Sequence, residues 1–300
     1  MHSARYNVLR LELRLEPAGP LLIKAGGYAA DPSLPDMSFV RTARADGQET
    51  VYIPGSSVKG VLRGFVEQAL RTIDDRQGWM WACPTFPSNA ESCGKRLEKE
   101  ERSCEVYRQS CGACRLFGHT RLRGRLAVTD LMPAGEVRTE TRYGVAISRL
   151  SHAVAQGPFE MEVAVAGRFA GRIILQNYEL WQLGMLAVAL DAANHGVLKF
   201  GFGKNRGYGE VRITIEEAGV EEAPPGPEDG VLRGAAEFLP AEKRAAYGLS
   251  APDRLTGLPQ PIRTRPVGLA TERVYDGAGW KAIAQQAMER LVQPAGGGIA

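Results

Sequence analysis

The chain has 300 residues, 44% of them hydrophobic, and its 37 basic and 34 acidic side chains leave a net charge of only +3. That composition supports a sizeable core, excludes a disordered chain and suits one domain with insertions. No apolar run reaches bilayer length and no signal-peptide segment opens the sequence, so a soluble, cytoplasmic protein with no membrane partner is expected.

From Leu9 to Glu16, leucines at 9, 11, 13 and 15 alternate with Arg10, Glu12, Arg14 and Glu16, the pattern of a half-buried strand. Pro17 to Gln48 is rich in Gly, Pro and Asp and reads as a long loop carrying Asp31, Asp36 and Asp46. A short strand then leads into Ile-Pro-Gly-Ser-Ser-Val-Lys-Gly-Val-Leu-Arg, residues Ile53 to Arg63. Ser56 or Ser57 suits a helix N-cap, leaving backbone N–H groups at the positive end of the helix dipole, where a phosphate oxygen is stabilised. Val58, Leu62, Val66 and Leu70 recur at helical spacing toward an end near Ile73. Lys59 and Arg63, four residues apart, share one face.

All five cysteines, Cys83, Cys93, Cys104, Cys111 and Cys114, fall in an insertion spanning 74–118. With no secretory signal, a Cys-x-x-Cys pair preceded by further cysteines favours a metal over disulfides, and four thiolates make a closed, structural zinc site. Cys111 and Cys114 supply two ligands. The others come from Cys83, Cys93 and Cys104, with Cys83 and Cys93 first, Cys104 the alternative and His119 a weaker candidate. A redox pair is the competing reading, but Cys111 does not follow a strand and open a long helix as a thioredoxin motif does. Six arginines against one acid between Arg102 and Arg125 make this centre of the chain locally basic.

Leu126 to Asp130 reads as a strand, 136–167 as an extended arm bearing Arg138, Arg142 and Arg149, and Arg168 to Gln176 as another strand. Glu179 to His195 is the second strong helix. Phe200 to Glu210 then places four glycines around Lys204, Asn205 and Arg206, which lets a backbone approach a ligand while two cations meet phosphate. Phe202 and Tyr208 suit base stacking or simple packing alike. The loop lacks the order of a nucleotide P-loop, and the scattered His2, His119, His152 and His195 form no catalytic triad or zinc-protease motif. After the strand Val211 to Ile215, an acidic, proline-rich linker leads to an extension, 216–300, with one late helix from Trp280 to Leu291.

The order strand, helix, strand, strand, helix, strand predicts an α+β chain. Residues 1–215 make a split βαβ, ferredoxin-like core of the kind found in RNA-recognition domains. At this point the chain resembles the RAMP superfamily of CRISPR-associated proteins, specifically the type III effector backbone subunits of the Cas seven group. Residues Ile53 to Arg63 resemble its helix-one signature, and Cys111-Gly-Ala-Cys114-Arg-Leu-Phe-Gly118 its Cys-x-x-Cys-x-Leu-Phe-Gly element. Thr141 to Phe159 resembles its thumb hairpin and Gly201 to Gly209 its glycine-rich loop.

The resemblance implies a subunit that polymerises with other effector subunits along a guide RNA (crRNA). It would grip phosphates through Ser56, Ser57, Lys59, Arg63, Lys204, Asn205 and Arg206, with Arg142 and Arg149 on a thumb set into the guide–target duplex. It also implies that a loop aspartate supports Mg2+-dependent endonuclease cleavage of the complementary target RNA. Leu34-Pro-Asp36-Met-Ser-Phe-Val40 matches that segment by its distance from the Gly-Ser-Ser turn, with Ser38 where the pattern has proline. Asp36 is therefore the first catalytic candidate and Asp31 the second. The alternatives are a non-catalytic scaffold of the same complex and a crRNA-processing endoribonuclease.

Overall fold

The computed structural model describes residues 4–26, 35–73, 78–86, 91–224 and 226–292. The central strand β1 (Asn7–Pro17) has the predicted alternation, with Leu9, Leu11, Leu13 and Leu15 buried and the charged residues on the other face. The expected long loop contains one further strand, β2 (Arg41–Ala43), which pairs with the expected short strand, β3 (Glu49–Val51). Beside it, buried Phe39 stacks parallel to Phe169 at 6.3 Å. Helix α1 (Gly55–Ile73) buries Val58, Leu62, Val66 and Leu70 along one stripe. Each such side chain contributes about 1.5–3 kcal/mol relative to exposure.

The cysteine insertion folds into three short helices, α2 (Cys93–Arg96), α3 (Ser103–Gln109) and α4 (Gly112–Phe117), closed by the strand pair β4 (Gly118–His119) and β5 (Leu122–Arg123). The chain returns through β6 (Leu126–Val128) and β7 (Met132–Pro133), then projects a long antiparallel hairpin, β8 (Arg138–Ile147) and β9 (Val154–Ala166). Next come β10 (Phe169–Gln176), helix α5 (Leu180–Asn194) and β11 (Val211–Glu222). The remainder forms β12 (Leu232–Arg233), α6 (Ala241–Tyr247), β13 (Arg254–Leu255), β14 (Arg263–Val267), β15 (Ala270–Asp276) and α7 (Gly277–Val292).

The seven-stranded sheet has the order β14-β15-β11-β1-β10-β6, with β7 also pairing β10, and every pairing in it is antiparallel. Its inner part, β11-β1-β10-β6, is compatible with the ferredoxin-like core expected from the sequence. Leu9 sits opposite Leu175 and Leu11 opposite Ile173, so apolar rows continue across strands beneath α1 and α5.

The extension differs from the sequence expectation. Strand β11 runs on past 215 to Glu222, and β15 and β14 add to its edge. Trp280, Ile283 and Ala287 of α7 join the same core as β1. A Cβ on Gly184 of α5 would lie 2.6 Å from the Ala287 carbonyl oxygen, so α5 and α7 cross with their backbones nearly touching. The acidic run read as a linker owes part of its charge to Glu221 and Glu222, which are only 2% and 1% exposed. Arg5 and Arg10 pair with Glu221, and Arg233 and Arg273 with Glu222. Carboxylates at such depth are retained because guanidinium groups neutralise them. Position 215 thus lies within strand β11.

Candidate nucleic-acid interface and metal centre

The start of α1 is built differently from the expected serine cap. Pro54 occupies the cap position, accepting hydrogen bonds from Ser57 N (2.9 Å) and Val58 N (3.2 Å). The Gly55 N–H donates to Asp130 Oδ1 at 2.8 Å. A Cβ on Gly55 would lie 2.3 Å from the Val128 carbonyl oxygen, so only glycine lets the helix abut the β6 end. Asp130 thus already places a carboxylate at the positive end of the helix dipole. Ser56 and Ser57 lie in the first turn and turn their side chains to the flank of the helix.

On that flank a cleft of about 670 Å³ opens between α1 and the glycine-rich loop. Ser56, Ser57, Gly60 and Gly64 line one wall, and Gly201, Phe202 and Lys204 the other, with Lys24 at its rim. A second cleft of about 510 Å³ shares Val197, Leu198 and Lys204 and adds Lys199 and Asn205, so the groove continues over the loop. Lys204–Arg206 is a single 3-10 turn held between left-handed Gly203 and Gly207, and all three side chains are exposed. The glycines serve the chain more than a ligand. A Cβ would lie 2.2 Å from Leu22 O at Gly201 and 2.1 Å from Phe200 O at Gly209. Tyr208 packs over Gly203, whereas Phe202 faces the cleft.

Lys59 and Arg63 sit on the other flank of α1. Arg63 donates to Glu67 Oε1 (2.7 Å), to Gly118 O (3.0 Å) and toward Cys114 Sγ (3.8 Å). Burial opposes its charge, but the hydrogen bond and charge of Glu67 raise its pKa. Arg63 is thus engaged by contacts within the fold. Lys59 is half-buried; burial first, and the Arg63 charge second, lower its pKa. Among the described residues no carboxylate pairs with it.

Arg63 leads to the cysteine cluster. The Sγ atoms of Cys83, Cys93, Cys111 and Cys114 all lie within 4.8 Å of one another and are buried. Cys83 Sγ is 3.4, 3.7 and 3.9 Å from the other three. Four thiolates about 2.3 Å from one zinc have sulfurs roughly 3.8 Å apart, so the donor set fits tetrahedral zinc. Backbone N–H groups of Cys93, Cys111 and Cys114 point at the sulfurs of Cys83, Cys93 and Cys111 at 3.3–3.4 Å. Arg96 reaches Cys93 Sγ at 3.8 Å, so two guanidinium groups offset the charge of a four-thiolate shell.

Without metal, hydrogen bonds from Cys111 and then Cys114 bring Cys83 down to about 6 and hold Cys93 well below the usual thiol range. Cys111 and Cys114 are pushed up by sharing protons with their neighbours. Cys104, on α3, lies outside the group. His119 is also excluded: its Nε2 is 2.9 Å from Ser110 Oγ, its Nδ1 accepts from Arg121 N, and burial lowers its pKa.

A family model described as the RAMP superfamily matches residues 14–212. The chain belongs to the RAMP superfamily. That places it among CRISPR-associated, RNA-binding proteins. No curated protein matches it in sequence. The matched span of this RAMP protein includes α1, the cysteine cluster, the β8–β9 hairpin and the glycine-rich loop, and ends inside β11.

The β8–β9 hairpin occupies the region read as the thumb. Its outer part is exposed, with Tyr143, Ile147, Leu150 and Val154 all more than half accessible. Arg142 on it pairs with Glu140 at 2.7 Å, and Arg149 is exposed near the tip. Asp36 is exposed, and its Oδ2 accepts from Glu160 N at 3.0 Å, tying its loop to β9. Met37 N donates to Glu160 O and Glu162 N to Met37 O, both at 3.0 Å, so the loop lies along the hairpin base. Asp31 lies outside the described residues. Asp46 caps the β2–β3 turn by accepting from Gln48 N. No helix among the described residues is long and apolar enough to cross a membrane. The sequence reading missed Lys24, Lys199 and Asp130, which carry no motif and are recruited by tertiary packing alone.

Proposed function

We propose that this RAMP protein is a guide-RNA-binding backbone subunit of a type III CRISPR effector. The groove between the flank of α1 and the glycine-rich loop holds the RNA backbone. The observation that carries this reading is the convergence of Ser56, Ser57, Lys24, Lys204 and Asn205 on two connected clefts. Lys24, Lys204 and Arg206 are exposed and, among the described residues, have no carboxylate partner. Unpaired cations along a groove suit a phosphate chain. The exposed β8–β9 hairpin supports the thumb role, with Arg149 free to meet nucleic acid. RNA extracted from the purified protein tests this: guide-length RNA is expected, and its absence from a Lys24→Ala/Lys204→Ala variant. Recovery of random cellular RNA, or none, would contradict it.

Asp36 is the candidate for target cleavage. RNA carries its own nucleophile in the 2′-hydroxyl, so the chain need only hold the phosphate in line and supply a carboxylate. A divalent cation, when bound, supplies charge neutralisation at the phosphate. Apart from the cysteines, the described residues include no group of three metal ligands, so such an ion fits only if shared between Asp36 and RNA phosphates. The Glu160 N–H bond to Asp36 favours a second reading, in which Asp36 only fastens the loop and the subunit is a scaffold. Within the assembled complex, Asp36→Asn separates the two. Loss of metal-dependent cleavage with RNA binding intact supports catalysis, and undiminished cleavage supports the scaffold.

A further inference from the structure

The cleft is not lined as a pure phosphate channel would be. Between the cations at its rim, its walls are largely apolar, formed by Ile23, Val61, Phe65, Val197, Leu198 and Phe202. Val197 is 72% exposed, although a Val at that height gains from being covered. The floor is equally telling. A Cβ on Gly60 or Gly64 would meet nothing within 4 Å. Glycine inside a helix is less stable than alanine, and no neighbour among the described residues requires either of them. Gly55, by contrast, is forced by the Val128 carbonyl. The two glycines keep a strip of helix surface bare beside two phenylalanines.

Resting on the RNA-binding reading above, we infer that the cleft seats one unstacked nucleobase of single-stranded RNA, its ring against Phe202 and over the Gly60–Gly64 floor, while Lys24 and Lys204 hold the flanking phosphates. A flat, apolar-faced ring with anionic neighbours matches both the lining and the charge at the rim. Every base has such a face, so the site takes a base with little sequence preference. Duplex RNA, whose bases are stacked away, is excluded from it.

The zinc-loaded full chain is titrated with single-stranded RNA, with abasic RNA of equal length and charge, and with duplex RNA, each over a range of salt. Single-stranded RNA is expected to bind at least about 5-fold tighter than abasic RNA, the lower end of what one base–aromatic stack contributes. Phe202→Ala and Gly64→Leu should each abolish that preference while leaving the salt slope unchanged. Gly64→Leu fills the cleft at an exposed helical position and guards against a Phe202→Ala chain that does not fold. Equal affinity for abasic and ordinary RNA in the wild type, or a preference that survives both variants, overturns the base site while salt-dependent binding still supports the backbone groove. Absence of salt-dependent binding to any RNA overturns both. A change in oligomeric state with Gly64→Leu, without loss of base preference, would instead make the cleft a protein-docking groove and also overturn the base site.

Discussion

The two flanks of α1 face opposite demands. Toward the cysteine cluster, Arg63, Glu67 and Arg71 form a ladder one helical turn apart. Arg63 reaches Cys114 Sγ and Gly118 O, and Arg71 donates to Cys83 O at 2.8 Å. Toward the glycine-rich loop, the same helix presents serines and bare glycines, facing Lys24 and Lys204, which have no carboxylate partner among the described residues. On one flank the arginines are engaged by the fold, and on the other the cations that face the helix have no such partners among the described residues. A cation's position in a helical motif therefore does not reveal its role, whereas its partners do.

Removing metal from the four-cysteine cluster, for which zinc is the expected ion, should have the largest effect, because Arg63 and Arg71 both reach that cluster. A bound structural zinc contributes on the order of 10 kcal/mol in small domains. Strong chelation should therefore lower Tm sharply and loosen the hold on Arg63 and Arg71. Metal analysis should find about one zinc per chain, and Cys111→Ser should abolish it. Stoichiometric zinc in Cys111→Ser, or a chelated chain of unchanged Tm, would break the comparison on this side.

Arg63→Ala comes next, at about 1.5–3 kcal/mol of stability for lost charged hydrogen bonds. It should speed zinc release to a chromogenic chelator while leaving the salt slope of RNA binding unchanged. Slower zinc release, or a smaller salt slope, would move Arg63 to the ligand side. The smallest effect is expected from Gly60→Ala, which should raise stability by about 0.5–1 kcal/mol, measured by urea unfolding. A loss of stability there would mean that the helix surface is already occupied within the fold.

What could be read from the sequence was local. The Leu9–Leu15 alternation, the stripe from Val58 to Leu70 and the cysteine spacing are short-range patterns, and each became the element or cluster it suggested. The sequence put Cys83 and Cys93 first but left Cys104 open, because the choice depends on how the loop at Cys83 and helix α2 fold against α4. The β2–β3 hairpin is only three residues a side, too short for a period to show. Glu221 and Glu222 looked like solvated linker charge, since their partners Arg5, Arg10, Arg233 and Arg273 lie at other points along the chain. The same limit hid Asp130, which caps a helix 75 residues earlier. It also hid Lys24 and Lys199, which follow β1 and α5 in the chain and reach the groove only in the folded protein. Ser56, Ser57 and Lys204, which line the cleft, could be named from the sequence because glycine-rich turns announce themselves locally.

The central claim is that RNA phosphates lie on the cleft flank of α1 and not on its cysteine flank. The most direct test is the slope of log K against log salt for single-stranded RNA, compared across Lys24→Ala, Lys204→Ala and Arg63→Ala. Each neutralised phosphate contributes about 0.7 to that slope. A drop of about 0.7 for each lysine variant and none for Arg63→Ala is the predicted result. Unchanged slopes for both lysine variants, with the drop at Arg63, would contradict it.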